Sequence, residues 1–465
     1  MSEAVSTETI AAIATPSGRG GIGIVRISGS QALPIAENLC HVSPRERYVE
    51  FAAFFDASGE PLDKGLLLFF KGPASFTGED VIELHGHGGP VVMDMLMERV
   101  LQLGAREARP GEFTERAFLN DKIDLVQAES IADLIDSQSR TAARFAARSL
   151  QGEFSSRIHG LQSAMIDLRM YIEAAMDFPE EEVDFLSDSS VQKKLSTLRK
   201  TLETLLKDSR LGAIVRQGVR VVLAGRPNVG KSSLMNLLSQ RDSAIVTHIP
   251  GTTRDLVREE INLDGLQIEL VDTAGIREKA DIIETEGIRR ALSEVTGADI
   301  VLLLLDAGSV IRSEIDIEEE ISRLRKSTAM QGQLLLAINK VDSVDVSQLN
   351  ELLSKMKEKG GPEPVEKISA LQGKGVPALI QHIKAMAGMS NLPESGFIAR
   401  SRHIKALELC QQHLDQALAE LQTVGRGELV AEDLRLAHAA MGSILGEFTA
   451  DDLLGEIFSR FCIGK

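Results

Sequence analysis

The 465-residue chain has no tryptophan, two tyrosines and three cysteines. With so few aromatic rings, platforms on which nucleic-acid bases could stack are scarce. Cys40, Cys410 and Cys462 are too few and too scattered for a disulfide framework or a zinc site. Cys462 stands four residues from the end, as in a prenylation box, but Gly464 and Lys465 are wrong for that signal. No stretch approaches the roughly 20 apolar residues that cross a bilayer, and the N-terminus lacks a basic segment followed by an apolar one. The expectation is a cytoplasmic protein with no membrane association. Positive charge is short as well: 51 lysines and arginines face 68 acidic residues, for a net charge of −17. Non-specific nucleic-acid binders gain affinity by neutralising phosphates, and this balance argues against a free-standing binder of that kind. An RNA substrate would need a local basic patch or a partner to hold it.

Hydrophobic residues are plentiful, at 43%, and a prior of about 150 residues per domain gives roughly three domains. The most informative segment is GRPNVGKSS, residues 225–233. It fits the phosphate-loop pattern, in which glycines let successive N–H groups curl round a phosphate, a lysine reaches the β and γ oxygens, and a hydroxyl meets magnesium. Gly225, Gly230, Lys231 and Ser232 supply those parts, with Asn228, Val229 and Ser233 in the same loop. An apolar run, Val219 to Ala224, precedes it and LMNLL follows, so the loop joins a buried strand to a helix whose N-terminal dipole favours phosphate.

Downstream pieces follow in the order a guanine-nucleotide site requires. Residues 261–271 form two alternating runs joined by Asp264-Gly265, a hairpin signal, and lead into Asp272-Thr273-Ala274-Gly275. There Asp272 would hold magnesium through water and the Gly275 N–H would face the γ-phosphate. Ile300 to Leu305 and Leu334 to Ile338 are continuous apolar runs suited to parallel strands covered on both faces. The second ends in Asn339-Lys340-Val341-Asp342. A carboxylate at Asp342 can accept from both N1–H and the exocyclic amine of guanine, a pair adenine lacks, so GTP is preferred over ATP. Ser369-Ala370, with Leu371 next to them, would close the base pocket through a backbone N–H to the guanine carbonyl oxygen.

Ile276 stands where many small GTPases place the glutamine that orients the attacking water. Another group must do so, and Glu278, Asp281, Glu284 and Glu286 are the acidic candidates. No arginine finger is obvious, although Arg254 and Arg277 lie in the segments that should switch. A cation other than arginine could take that role. Asn228 offers a side-chain oxygen beside the phosphates, or is simply tolerated in the loop.

The GTPase module spans about residues 217–385. Helical apolar spacing marks both flanks, for example Leu161, Met165, Leu168 and Ile172 before it and Leu407, Leu414, Leu418 and Leu421 after it. One helical domain built from both arms, with the GTPase inserted near Gly218 and released near NLPESG at 391–396, is the economical reading. The first 119 residues alternate short strands with helical stretches and read as a compact α/β domain. Gly18 to Gly23 match a dinucleotide fingerprint but lead into a strand instead of opening a helix, so a Rossmann site is rejected. His85 and His87 lack a third metal ligand and read as loop residues. PEEEVD, residues 179–184, reads as a solvated acidic loop.

The chain resembles the MnmE (TrmE) family of bacterial and organellar tRNA-modification GTPases from end to end. The resemblance rests on ATPSGRGGIGIVRISG (14–29), FTGEDVIELHGHGG (76–89), RPGEFTERAFLNDKIDLVQAE (109–129), DFPEEEVDFL (177–186), the phosphate loop, PGTTRD (250–255), DTAGIRE (272–278) and FCIGK (461–465). It implies an α/β and α architecture: residues 1–119 as a tetrahydrofolate-binding-like dimerisation domain, 120–216 and 386–465 as two parts of a helical domain, and 217–385 as an inserted Ras-like GTPase domain. It further implies a homodimer, the flavoprotein partner MnmG carrying FAD, and joint addition of an aminomethyl or carboxymethylaminomethyl group to carbon 5 of wobble uridine in tRNA.

Residue by residue, the resemblance places potassium among Asn228, the carbonyls of Thr247 and Ile249, and Thr252. Magnesium goes to Ser232 and Thr253. His248, Pro250 and Gly251 complete the nucleotide loop, and Glu284 orients the water through a second water. Arg26, Glu83, Lys122 and Lys465 correspond to contacts with a tetrahydrofolate derivative, the 5-formyl or 5,10-methylene form. Cys462 matches a cysteine needed for modification. The main alternative is a regulatory GTPase in ribosome assembly, which has no need of the folate-type N-terminal domain or the FCIGK tail, and a third reading is a folate-sensing scaffold in which GTP only sets shape.

Overall fold

The computed structural model describes residues 8–177, 189–241, 257–263, 266–272, 296–327, 332–358, 365–389, 393, 395–421, 427–447, 451–459, 461 and 464. Two compact units emerge, one of Met1–Ala132, Ser149–Glu203 and Lys405–Lys465, the other of Asp133–Arg148 and Thr204–Ile404.

The first unit is built on strands β1 (Ile10–Ile13), β2 (Gly23–Ser28), β3 (Val49–Phe55), β4 (Pro61–Phe70), β5 (Val81–Gly86) and β6 (Arg106–Glu107), ordered β3-β4-β5-β2-β1-β6. All pairs are antiparallel except β1 with β6. Alternation along β2 sends Val25 and Ile27 into a core under the helices Ala32–Cys40 and Pro90–Gln102. Arg26 therefore faces the other way, where it stands opposite Glu83 in the β2–β5 register. The glycines at 18–23 do lead into a strand. His85 is on β5, not in a loop, and bonds the Glu83 carboxylate at 3.1 Å, while His87 bonds Asp63 at 2.8 Å. In the same unit the helix Glu153–Asp177 packs against Gly427–Leu445, and Ile457, Phe458 and Phe461 form a small core with Leu125 and Ala128.

Strands β7 (Val219–Ala224), β8 (Val257–Leu263), β9 (Leu266–Asp272), β10 (Ile300–Asp306), β11 (Gln333–Asn339) and β12 (Val365–Lys367) form the second sheet, ordered β12-β11-β10-β7-β9-β8. β8 and β9 are the expected hairpin, paired through Leu263 and Leu266, and every other pair is parallel. Val221, Leu302 and Leu304 pack on one face with Leu234 and Leu379, and Val222, Leu303 and Leu305 on the other with Val310 and Leu349. Burial on both faces is why these strands read as unbroken apolar runs. The unit extends beyond the strands of the GTPase module. Asp133 accepts from Arg216 Nε at 2.7 Å and from Arg400 at 2.8 Å, and Gly396 lies against the Phe145 ring so closely that a Cβ would collide with it. No described helix is long and apolar enough to cross a membrane.

Candidate functional site

Because β7 lies between β10 and β9, chain connections leave it in opposite directions and open a crevice at the carboxyl ends of the strands. The phosphate loop occupies that edge, followed by the helix Lys231–Arg241. Its curl depends on left-handed backbone at three positions, Gly225 (φ 140°), Asn228 (φ 64°) and Gly230 (φ 101°). A Cβ at Gly225 would run into the Leu304 carbonyl, and one at Gly230 into the Asn339 amide, so glycine is required at both by space as well as by φ. Lys231 is buried, and its ammonium donates to the Gly225 carbonyl at 2.7 Å and the Arg226 carbonyl at 3.1 Å, which holds it inside the curl. Ser232 and Ser233 are exposed on the first helical turn and Val229 is buried beneath the loop.

Asn339, 2% exposed at the end of β11, ties the base loop to the phosphate loop. Its Nδ2 donates to the Val229 carbonyl at 2.8 Å and its Oδ1 accepts from Ala370 N–H at 2.9 Å. Lys340, itself left-handed (φ 63°), extends the tie by donating to the Asn228 carbonyl at 2.6 Å and pairing with Asp306 at 2.8 Å. Burial pushes the Asp306 carboxyl up, but the Lys340 ammonium and the Ser309 N–H outweigh it and hold the group below its ordinary value. Asp306 lies one residue past the apolar run Ile300–Leu305, and its acidic position at a strand end was the signal that could have singled it out.

Asp342 is exposed, with its carboxylate available to a base. The Ser369 N–H donates to the Lys374 carbonyl and the Ala370 N–H to Asn339. A guanine carbonyl would therefore share the Ala370 N–H or use that of Leu371, whose residue is 85% exposed. Asp272 ends β9 opposite Leu223, one residue before the phosphate loop's strand ends. Thr247, His248, Ile249, Pro250, Gly251, Thr252, Thr253, Thr273, Ala274, Gly275 and Ile276 lie outside the described residues. So do the acidic candidates Glu278, Asp281, Glu284 and Glu286, as well as Arg254, Arg277, residues 179–184, Cys462 and Lys465.

In the other unit, Arg26 meets Glu83 at 2.9 Å, lies 5.8 Å from the Phe113 ring centroid, and donates to the Gly464 carbonyl at 3.4 Å. The C-terminal tail thus reaches the expected folate contacts at Gly464, whose φ of 92° and closeness to the Ile13 carbonyl fit glycine. Lys122 instead donates to the Pro73 carbonyl at 2.9 Å.

Known proteins match this arrangement along the whole chain. The family profile described as MnmE helical domain matches residues 125–462, and that described as GTP-binding protein TrmE N-terminus matches residues 9–122. Proteins named tRNA modification GTPase MnmE are similar: that of Saccharophagus degradans is 49% identical over 460 residues, covering 99% of both chains. That of Chromohalobacter salexigens is 51% identical over 460 residues, covering 98% of both. Coxiella burnetii has one 51% identical over 462 residues, covering 99% of both. With half the residues shared across almost the full length, and both profiles matched in order, the chain belongs to the MnmE (TrmE) family.

Proposed function

We propose that this chain is a potassium-stimulated GTP hydrolase that serves tRNA wobble-uridine modification as a homodimer together with the flavoprotein MnmG. The observation that carries the hydrolase reading is the Asn339 tie, which sets the phosphate loop and the base-reading strand end at one edge of one sheet. Lys231 would turn from the Gly225 and Arg226 carbonyls to the β and γ oxygens, and the loop N–H groups would hold the phosphates. Asp342 would select guanine by accepting its two N–H groups. Ser232 and Thr253 would hold magnesium, which when bound neutralises charge on the phosphates. Exposure of Ser232 on the first helical turn fits that ligand role.

Asn228 supports the potassium reading. Its carbonyl is held by Lys340, which fixes the left-handed backbone from which its side chain projects at the phosphate edge. Thr247, Ile249 and Thr252 would complete the ion's shell, and Glu284 would orient the water. The paired Arg26 and Glu83 offer a donor and an acceptor side by side, which suits the hydrogen-bonding edge of a pterin; Lys465 and Cys462 would join them from the tail next to Gly464.

Potassium dependence is tested by hydrolysis rates of the full chain in sodium and in potassium. Equal rates refute the ion assignment, and Glu284→Ala should abolish hydrolysis while sparing nucleotide binding. Mass analysis of wobble nucleosides in cells lacking the protein tests the tRNA role, and unchanged uridine modification would sink it.

A further inference from the structure

A chain with a net charge of −17 that serves tRNA needs a place where phosphate is welcome. The helix Arg140–Leu150, RTAARFAARSL, has three arginines and no acidic residue. Arg140, Arg144 and Arg148 recur every four residues, so they share one face and stand about 6 Å apart along the axis. That is the order of the separation between successive phosphates on one nucleic-acid strand. Arg140 and Arg144 are exposed and Arg148 is half-buried. All three belong to the unit that carries the nucleotide sheet.

The opposite face holds the helix in place. Ala142, Phe145 and Ala146 are buried in the core of the same unit, so the arginine face is presented by a rigid element. Small residues lie between the arginines, Thr141, Ala143 and Ala147, and leave room for a backbone to approach closely. Several other arginines of the described residues are engaged, among them Arg216 and Arg400 with Asp133, Arg226 with Glu320 and Arg312 with Glu314. No carboxylate among the described residues pairs with Arg140, Arg144 or Arg148. Three guanidiniums on one face with no carboxylate partner keep their forks open to a ligand, and those planar forks match phosphate oxygens two at a time.

We infer that the face formed by Arg140, Arg144 and Arg148 is the surface on which the chain grips the phosphate backbone of its RNA substrate. The inference rests on the tRNA reading above and adds to it where the contact is made. It needs no base recognition, in keeping with the scarcity of aromatic residues.

The test is binding of a labelled tRNA transcript to the full-length protein over a range of salt concentrations, for the wild type, Arg140→Gln/Arg144→Gln/Arg148→Gln, and the matching triple lysine variant. Each phosphate contact contributes about 0.7 to 0.9 to the slope of log affinity against log salt, so the glutamine variant should lose about 2 to 2.7 from the slope. Its affinity near 100 mM salt should fall roughly tenfold or more. The lysine variant should keep most of the slope, and GTP hydrolysis without RNA should be unchanged in both, which excludes misfolding. A glutamine variant with wild-type slope and affinity overturns the inference. So does loss of wobble modification in cells with tRNA binding intact, which would assign the stripe to an acidic protein partner. A wild type that does not bind tRNA also overturns it, while the nucleoside analysis reads the tRNA role separately.

Discussion

Replacing Asn339 by alanine removes the donor to the Val229 carbonyl and the acceptor for the Ala370 N–H at a position that is 2% exposed. A buried polar group left without its partner costs about 1–3 kcal/mol, so two orphaned groups give roughly 2–6 kcal/mol. The space vacated by the carboxamide is lined by those two polar groups, and a water entering it restores part of the loss. A net cost of roughly 2–3 kcal/mol is then expected. Nucleotide binding requires both loops in place, so the cost appears as weaker affinity, about 30- to 150-fold at about 1.4 kcal/mol per decade. Titration of the full-length protein with a fluorescent GDP analogue measures it. Asn339→Asp keeps an acceptor for Ala370 but sets an oxygen against the Val229 carbonyl, and should bind at least as weakly as the alanine variant. Binding of Asn339→Ala within threefold of wild type would refute the reasoning, since it would mean that the tie does not organise the site.

Two further outcomes follow from the charged groups. Asp306→Asn removes the charge that steadies Lys340, but Lys340 is 41% exposed, so solvent limits the effect to about 0.5–1 kcal/mol, a two- to fivefold faster release of GDP. Because the Asp306 carboxyl is held below its ordinary value, its contribution is complete above the usual carboxylate range and fades as pH falls through the lowered value; a difference between variant and wild type that persists undiminished in acid would contradict the ion pair. In the N-terminal unit, burial raises the Glu112 carboxyl, but the Arg106 fork, the Arg109 N–H and the Arg116 charge bring it down to about 2 from 4.5. That stabilisation is present above pH 4.5 and is lost as pH falls toward about 2. Hydrogen-exchange protection across residues 8–119, taken relative to the intrinsic rate at each pH, should therefore fall in that window in the wild type and change less in Glu112→Gln; the same pH dependence of protection in both would show that Glu112 does not carry the acid response.

Much of the nucleotide edge was legible in the chain because its chemistry is local. A phosphate loop needs glycines and a lysine at fixed spacing, and Val219 to Ala224 had to be a buried strand because no polar residue but Arg220 interrupts it. Gly265 marked the hairpin, and the unbroken apolar runs at 300–305 and 334–338 announced strands covered on both faces. The N-terminal sheet was only partly legible. β1, β3 and the two-residue β6 carry too little local pattern, and their pairing depends on residues far away in sequence.

Only the tertiary structure decided what the site residues do to one another. Nothing in the order of residues says that Asn339 is directed at Val229 and Ala370, that Asp306 steadies Lys340, or that Gly230 must be glycine because the Asn339 amide lies against it. Those relations come from setting β11, β10 and β7 side by side in one parallel sheet, which brings together residues 31 to 110 positions apart. The sequence by itself determined the chemical inventory of this protein: the parts of a guanine-nucleotide site, an excess of acidic residues, and three arginines spaced four apart in a stretch without acidic residues. The fold determined which face of their helix is anchored in the core and which is left to solvent, because burial of Ala142, Phe145 and Ala146 is a property of packing and not of spacing.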